Sequence, residues 1–349
     1  MRIVQHVKKM SGYLHGEQPT GRGVIKINTN ENAYPPSPKC AEALAKFDLA
    51  RLRIYPQAEC LPLREELARQ LQTTPDRIFV GNGSDEILAL AARAFVENDE
   101  TLGSLDPSYS LYRTLAEIRD VKWLGFDSGR LAAAQPELER QRVALFLLTN
   151  PNAPTGEWTA PREVARFAKS FKGVVIVDEA YADFACGDCM ALATAADNRN
   201  LIVMRTFSKS YSLAGLRVGY CVGPKDLISA LFKIKDSYNV DALAQTVALA
   251  ALKDRKYHAE TTAKIIRTRE WFTAELEQRG WDVIPSQANF VFARPPEGMS
   301  AESIFNTLKR QRIYTRWFAA GNTRTRIRFT IGTDAEMKKV LGKLKKLKA

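Results

Sequence analysis

Short apolar runs alternate, over the first two thirds of the chain, with segments whose apolar positions recur every three or four residues. The runs RIFV, VALFLLTN, GVVIVDEAY and NLIVMRTF have the length and apolar character of buried strands. LPLREELARQL, DEILALAARAF and PREVARFAKSF have the periodicity of amphipathic helices. This alternation predicts the α/β class, with a mainly parallel sheet of about seven strands covered by helices on both faces.

The pattern changes after about residue 225. DLISALFKIKDSYNVDALAQTVALAAL and the stretch from Lys253 to Gly280 predict long helices, and ANFVFAR and RIRFTIGT predict two strands with a helix between them and another after them. Near the start, INTNENAYPPSP is dense in prolines and turn formers and predicts an extended arm. We therefore expect an arm at 1–38, a large domain at 39–245 and a small α+β domain at 246–349 that packs with the arm.

The chain is basic, with 51 Lys and Arg against 39 Asp and Glu and a net charge of +12. Such a charge is compatible with nucleic acid, membrane surfaces or small anionic substrates. The basic residues are mostly scattered, and no helix-turn-helix, zinc-finger or RNA-recognition motif accompanies them, so binding of nucleic acid is only an alternative hypothesis. No apolar stretch approaches the ~20 residues of a membrane helix. We expect a cytoplasmic protein without nucleic-acid or membrane partners.

Five cysteines, an odd and small number for the length, agree with a reducing compartment. Cys186 and Cys189 form a C-x-x-C pair, but a zinc site needs further ligands at suitable spacing. The three histidines, His6, His15 and His258, lie far from the pair in sequence. We predict two ordinary thiols and no metal site.

Two strand ends carry candidate ligand-binding residues. In RIFVGNGSDEIL a strand leads through Gly81 and Gly83 into Ser84 and a helix, which offers backbone N–H groups to a phosphate. A capped helix start explains this loop equally well, and Glu86 occupies the place of the third glycine of a dinucleotide-binding fingerprint. Asp178 ends the strand VVIVD, at the sheet edge where open α/β folds bind ligands. Capping of the next helix is the alternative role.

The segment NLIVMRTFSKSYSLAGLRVGY is the most informative one. A strand delivers Thr206, Ser208 and Lys209 together, and Arg217 follows eight positions after the lysine. One lysine beside hydroxyl groups and an arginine suits an amine nucleophile next to a bound anion.

This segment resembles the cofactor-lysine region of the fold-type I, pyridoxal 5′-phosphate (PLP)-dependent aminotransferases of classes I and II. NENAYPPSP, the pair Tyr55-Pro56, VGNGSDE, DPSYSLY, NPNAPTG, VDEAY, TFSKSYSLAGLRVGY and IRFTIGT follow in the family's order over nearly the whole chain. Together with GEQP, they resemble the histidinol-phosphate aminotransferase branch. The resemblance implies a large PLP-binding domain, a small domain and a homodimer.

The resemblance also implies a role for individual residues. Lys209 would form the Schiff base with PLP and then move the substrate proton, while Asp178 would pair with the pyridine nitrogen. Tyr181 would form a hydrogen bond with the ring oxygen O3′, and Tyr109 would stack on the ring. The cofactor phosphate would contact Ser84, Asp85, Thr206, Ser208, Arg217 and, from the neighbouring subunit, Tyr55.

One position departs from the family pattern NPNNPTG, since Ala153 stands where an asparagine donates to O3′. Asn152 or a water takes over this role, or Tyr181 acts alone. On the substrate side, Arg328 would meet the carboxylate of 2-oxoglutarate or glutamate, and Arg316 the substrate phosphate. Surface ion pairs are the alternative for both arginines, and Arg324 and Arg326 crowd the same stretch. Tyr13 and Asn30 on the arm would close over the substrate.

The implied reaction is amino transfer from L-histidinol phosphate to 2-oxoglutarate, a step of histidine biosynthesis, with small anionic substrates as partners. An aromatic amino-acid aminotransferase on the same scaffold is an alternative. So is a PLP-dependent decarboxylase of a phosphorylated amino acid, because substrate orientation decides which bond at Cα breaks.

Overall fold

The protein contains two sheets and a short pair of strands. Its structure is a computed structural model, and residues 2–13, 15–127, 134–319 and 321–347 are described. In chain order the strands are β1 (Ile25–Lys26), β2 (Ile78–Gly81), β3 (Thr101–Leu105), β4 (Lys122–Phe126), β5 (Val143–Thr149), β6 (Val174–Asp178), β7 (Leu201–Thr206), β8 (Gly219–Val222), β9 (Asp282–Ile284), β10 (Phe290–Arg294), β11 (Ile313–Tyr314), β12 (Arg316–Trp317) and β13 (Ile327–Thr330).

Helices surround these sheets. The α-helices are α1 (Gln5–Lys9), α2 (Pro38–Ala45), α3 (Leu61–Leu71), α4 (Ser84–Ala94), α5 (Leu111–Arg119), α6 (Gln135–Arg140), α7 (Pro161–Ser170), α8 (Met190–Thr194), α9 (Lys225–Ile234), α10 (Ala242–Lys253), α11 (Arg255–Glu277), α12 (Ala301–Arg310) and α13 (Asp334–Leu344). Short 3₁₀ helices span Leu49–Arg53, Pro75–Arg77, Ala182–Phe184, Ala214–Leu216 and Gly321–Thr325. None of the helices in the described ranges has both the length and the apolar character needed to cross a membrane.

The large sheet has seven strands in the order β2-β8-β7-β6-β5-β3-β4. All its neighbours are parallel except β8, which runs antiparallel to both β2 and β7. Successive residues of β6 serve two cores, since Val175 and Val177 join the cluster on one face and Ile176 the cluster on the other. The predicted α/β class and mainly parallel sheet are confirmed. The sequence pattern was informative because a strand that is buried on both faces is continuously apolar.

The smaller sheet has the order β12-β13-β10-β9, with antiparallel neighbours. Strand β1 of the arm pairs in parallel with β11, and Ile27 beside it is 2% exposed within the cluster that also contains Phe290 and Phe329. The arm therefore packs with the smaller sheet. The expected division at 245/246 falls inside α10, whose residues Ala244 and Ala248 join one apolar cluster with residues of α3 and the large sheet. The domain limits stay a prediction.

Two details differ from the sequence-based expectation. The arm is not extended throughout, because α1 forms at its start and contacts α5, where His6 Nδ1 lies 3.5 Å from Asp120 Oδ2. The helix predicted over 226–252 is two helices. Lys235 adopts an extended backbone after α9, and the Asp241 side chain accepts from Ala244 N to begin α10.

Candidate active site

The predicted residues collect at the carboxyl ends of three neighbouring strands. Thr149, Asp178 and Thr206 are the last residues of β5, β6 and β7, and Thr149 and Asp178 are register partners. Since parallel strands end at one edge of the sheet, their terminal side chains share one crevice. The turn after β7 then adds Ser208 and Lys209.

A cradle for an anion lies at the start of α4. No side chain caps this helix, and Gly83 precedes it with φ of 80°, a conformation that favours glycine. A Cβ on Gly83 would lie 2.5 Å from a guanidinium nitrogen of Arg217, and Arg217 Nη1 is 3.3 Å from Ser208 Oγ. Thr206 Oγ1 donates to Ser208 Oγ at 3.0 Å. Open backbone N–H groups beside a guanidinium and hydroxyl groups suit a phosphate.

Asp85 also borders this cradle. Its Oδ2 lies 3.1 Å from Arg217 Nη2, and its Oδ1 accepts from Tyr109 Oη at 3.3 Å. The Tyr109 ring meets the arm residue Tyr13 edge-on, with ring centroids 6.0 Å apart. Burial raises the pKa of Tyr109 far above its usual value, so its hydroxyl stays protonated. The structure thus brings Ser84, Asp85, Tyr109, Thr206, Ser208, Arg217 and Tyr13 into one neighbourhood.

Lys209 points its amine at the arm. Nζ donates to the Thr29 carbonyl at 3.1 Å and lies 5.8 Å from the centroid of the Tyr181 ring. Burial and, to a smaller extent, the positive charge of Arg328 lower the pKa of Lys209 to about 8. Because a neutral amine is the nucleophilic form, this shift makes Lys209 reactive near neutral pH.

Asp178 is buried, with 4% exposure, and both of its oxygens accept hydrogen bonds. Oδ1 accepts from Ala180 N at 3.2 Å and Oδ2 from the Tyr112 hydroxyl at 2.8 Å. Burial raises the pKa of Asp178 to about 6, although the Tyr112 bond acts in the opposite direction. A buried carboxylate of this kind is stabilised by a cationic partner.

Tyr112 is a site residue that sequence reasoning missed. Its side chain is fully buried, and its oxygen lies 2.6 Å from Thr149 Oγ1. Since its single hydrogen goes to Asp178, Thr149 is the donor in the second bond. Tyr112 follows Tyr109 by three residues, so the motif DPSYSLY already contained the signal.

The loop that carries Asn152 keeps that side chain occupied. Its amide nitrogen donates to the Pro107 carbonyl at 2.9 Å and to Thr155 Oγ1 at 3.1 Å, and its oxygen accepts from Ser108 Oγ. Both amide hydrogens are therefore used within the loop. In this conformation Asn152 has no free amide hydrogen for the ring oxygen, which favours a water or Tyr181 alone in place of the asparagine missing at Ala153.

Arg316 and Arg328 are register partners on β12 and β13. Their guanidinium carbons lie 5.3 and 5.5 Å from the centroid of the same Phe318 ring. Arg328 donates to the Asn28 carbonyl at 2.9 Å, while its buried Nε has no hydrogen-bond partner within the described part of the chain. Burial lowers the pKa of Arg328 to about 10, and Arg316 contributes to the shift. Two adjacent cations with a free donor suit an anionic ligand.

Neighbouring arginines do not compete for this role. Arg326 pairs with Asp282 at 2.7 Å, and Arg324 is exposed. Tyr55 lies apart from the site, with 78% exposure and its ring stacked on Tyr238 at 4.3 Å. No hydrogen bond or ring contact joins Tyr55 to another predicted site residue in the described ranges.

Comparison with known proteins identifies the family to which the chain belongs. Residues 22–344 match the sequence profile of the family "Aminotransferase class I and II". The chain belongs to this family. The aminotransferase is 44% identical to a histidinol-phosphate aminotransferase of Geobacter sp. (strain M21), over 98% of this chain and 97% of the relative. It is 43% identical to the one of Geobacter sulfurreducens, over 98% of each chain.

A solved structure agrees with these relatives. The histidinol-phosphate aminotransferase of Sinorhizobium meliloti, crystallised in complex with PLP, superposes with a TM-score of 0.90 at 26% identity, over 98% of this chain and 96% of that one. The present protein is thus a PLP-dependent aminotransferase. The residues fit the cofactor, since the cradle at Gly83 and Arg217 suits its phosphate, Asp178 suits its protonated nitrogen and Lys209 suits its aldehyde.

Proposed function

We propose that this enzyme transfers the amino group of L-histidinol phosphate to 2-oxoglutarate, giving imidazole-acetol phosphate and L-glutamate in histidine biosynthesis. The adjacency of Arg316 and Arg328 carries this proposal, because it provides two cations for a substrate with an anionic end. The names of the relatives support the same substrate. A cytoplasmic location remains part of the proposal and rests on composition alone.

The side chains have distinct tasks in this reaction. When bound, PLP supplies the electron sink that stabilises negative charge at the amine-bearing carbon. We assign proton transfer at that carbon to Lys209 Nζ, whose pKa of about 8 lets it take up and release a proton near neutral pH. The Asp178 carboxylate would accept a hydrogen bond from the protonated ring nitrogen, and Tyr181 would donate to the ring oxygen. Arg328 binds the carboxylate of 2-oxoglutarate or glutamate, and Arg316 binds the phosphate of L-histidinol phosphate.

We further propose a homodimer in which Tyr55 completes the neighbouring subunit's phosphate site. The segment around Tyr55 supports an interface because its large apolar side chains face outward. Leu49, Leu52 and Ile54 are 69%, 51% and 53% exposed. Apolar clusters of this kind are typical of protein interfaces.

A spectral titration tests the substrate. Purified protein loaded with PLP is titrated with L-histidinol phosphate and, in parallel, with L-phenylalanine, and the visible absorbance of the cofactor is followed. We expect histidinol phosphate alone to convert the band at low concentration, and Lys209→Ala to be inert. Equal conversion by phenylalanine would favour the aromatic alternative, and a protein that gives no visible band with PLP would contradict the enzyme assignment.

A further inference from the structure

Asn30 connects three parts of the molecule at the edge of the active site. Its side-chain amide donates to the Tyr181 hydroxyl oxygen at 3.0 Å, across 151 positions of the sequence. Asn30 is 1% exposed and lies on the arm, whereas Tyr181 follows strand β6. The contact is therefore a buried bond between the arm and the loop after the central strand.

Strand β13 holds Asn30 in place. Its Oδ1 accepts from Thr330 Oγ1 at 2.9 Å, its backbone N–H donates to the same oxygen at 3.1 Å, and its carbonyl accepts from Asn289 Nδ2 at 3.1 Å. The φ angle of 58° is in the left-handed region, which asparagine and glycine tolerate best. With its oxygen committed to Thr330, the Asn30 side chain can face Tyr181 only as a donor.

This polarity determines what the Tyr181 hydroxyl does. Because its oxygen accepts from Asn30, its own hydrogen is available to donate to another group. Lys209 Nζ lies 5.8 Å from the Tyr181 ring centroid, so that hydroxyl belongs to the same crevice as the reactive amine. Ala153 packs in the same apolar cluster as Tyr181 and carries no polar side-chain atom.

We propose that Asn30 is a positioning residue that turns the Tyr181 hydroxyl into a dedicated donor to the ring oxygen of the bound cofactor. This role replaces the substrate contact that the resemblance implied for Asn30, and it rests on the proposed function only for the presence of PLP in the crevice. Thr330 acts through Asn30. Since Arg328 lies two residues earlier on the same strand, anion binding and donor orientation share one structural support.

A double-mutant cycle between Asn30 and Tyr181 tests the proposal. Asn30→Gly removes the amide and keeps a residue that tolerates φ of 58°. The measured quantity is the pH at which the visible absorbance of bound PLP changes, without any amino donor. Losing a donor to an ionised ring oxygen raises that pH, so we expect Tyr181→Phe to raise it by roughly one to two units and Asn30→Gly by up to about one unit.

The decisive comparison is the double variant. If Asn30 acts through the hydroxyl, Asn30→Gly adds no further shift in the Tyr181→Phe background. An unchanged transition in Asn30→Gly, or an equal shift with and without the hydroxyl, would overturn the proposal. Thr330→Val provides a second variant, for which we expect a smaller shift in the same direction. Ser37→Ala, which removes an arm hydrogen bond to Asp254, should leave the transition unchanged.

The same measurement separates this proposal from the substrate assignment. The titration requires PLP but no amino donor, so a protein that prefers phenylalanine to histidinol phosphate still reports on Asn30. Conversely, an unaltered transition in the Asn30 variant would overturn the role of Asn30, but it would leave the assignment of L-histidinol phosphate as the substrate untouched.

Discussion

The Tyr112 hydroxyl donates to Asp178 Oδ2 at 2.8 Å, and the Thr149 hydroxyl in turn lies 2.6 Å from the Tyr112 oxygen. All three side chains are buried. The bonds form a short chain from β5 through α5 to the carboxylate that faces the cofactor site. Because a hydrogen bond to the charged form favours ionisation, this chain offsets part of the effect of burial on Asp178.

Tyr112→Phe should therefore raise the pKa of Asp178 above its value of about 6. A bond to a charged group contributes about 1.5–3 kcal/mol, which corresponds to a shift of roughly one to two units. We expect PLP to bind more weakly, and the pH below which its binding weakens to rise by this amount. The measurement is the dissociation constant of PLP over a pH series.

Tyr257→Phe is the matched control, since the Tyr257 hydroxyl donates to the Pro35 carbonyl at 2.9 Å in a different part of the molecule. It should leave the pH dependence of PLP binding unchanged. A Tyr112→Phe protein that binds PLP with the wild-type pH dependence would show that the bond does not influence Asp178.

The raised pKa of Asp178 also predicts how cofactor affinity depends on pH. The carboxylate must be ionised to pair with a cationic ring nitrogen, and it is protonated in the free protein below about pH 6. Affinity should thus fall as pH falls through about 6, measured by PLP titration of Lys209→Ala, which binds without a covalent bond. Adding Asp178→Asn should lower affinity throughout and flatten this dependence. If the affinity for PLP depended on pH in the same way with and without Asp178→Asn, the dependence would come from another titrating group.

Local signals predicted much of this architecture. Helix α3 begins and ends where LPLREELARQL predicts, and α7 differs from its predicted span only at the last residue. Strand β8 was not predicted, because it has only four residues and its antiparallel pairing with β2 and β7 is a long-range property.

The active site shows the same division. Lys209, Thr206 and Ser208 are neighbours in sequence, so a motif locates them together. The Tyr112–Asp178 bond spans 66 positions and the Asn30–Tyr181 bond 151, and their donor directions follow from packing alone. Asn152 was assigned by its position beside Ala153, whereas the loop geometry directs its amide to Pro107 and Thr155.

The two arginines on β12 and β13 should contribute differently to the two substrates. Arg316→Gln should raise KM for L-histidinol phosphate by roughly 10- to 100-fold, the loss of one charge-assisted hydrogen bond, and leave KM for 2-oxoglutarate nearly unchanged. Arg328→Gln should raise KM for 2-oxoglutarate by a similar factor. Steady-state kinetics with each substrate varied provides both numbers. Arg324→Gln, at an exposed position, serves as the control. An equal effect of Arg324→Gln and Arg316→Gln would show that the loss of one positive charge in this region, and not a direct contact of Arg316, raises KM.

The shared site proposed for the dimer can be tested by mixing two chains that each lack one of the two residues. Lys209→Ala keeps Tyr55, and Tyr55→Ala keeps Lys209, so a hybrid dimer contains one site with both residues intact. Mixing equal amounts after reversible dissociation should restore roughly a quarter of the wild-type sites. Lys209→Ala mixed with Asp178→Asn is the control, because each chain supplies both Lys209 and Asp178 to its own site. There, one site of each hybrid lacks the lysine and the other lacks the carboxylate, so activity above that of the parents would contradict the arrangement.

A partly buried charge cluster supports the loop of Lys209 and predicts a pH-dependent stability. Asp183 accepts from the Ser210 hydroxyl, and it pairs with Arg205 Nη1 at 3.3 Å and His258 Nε2 at 3.5 Å. Burial opposes ionisation of Asp183, but His258 and Arg205 outweigh it and hold its pKa well below the usual value. The ionised carboxylate thus stabilises the fold above about pH 4 and loses this contribution as pH falls.

Asp183→Asn should lower the free energy of unfolding by about 2 kcal/mol near neutral pH, because it removes charge-assisted hydrogen bonds to Ser210 and Arg205, while Glu179 and Asp188 still pair with Arg205. The difference from the wild type should narrow below about pH 4, where the wild-type carboxylate begins to lose its advantage. Urea unfolding of the two proteins over this pH range provides the measurement. Asp188→Asn removes a more exposed partner of the same arginine, 2.8 Å away, and should cost less than about 1 kcal/mol. Equal losses for the two variants, or a difference that does not change with pH, would mean that Asp183 acts through packing rather than through its charge.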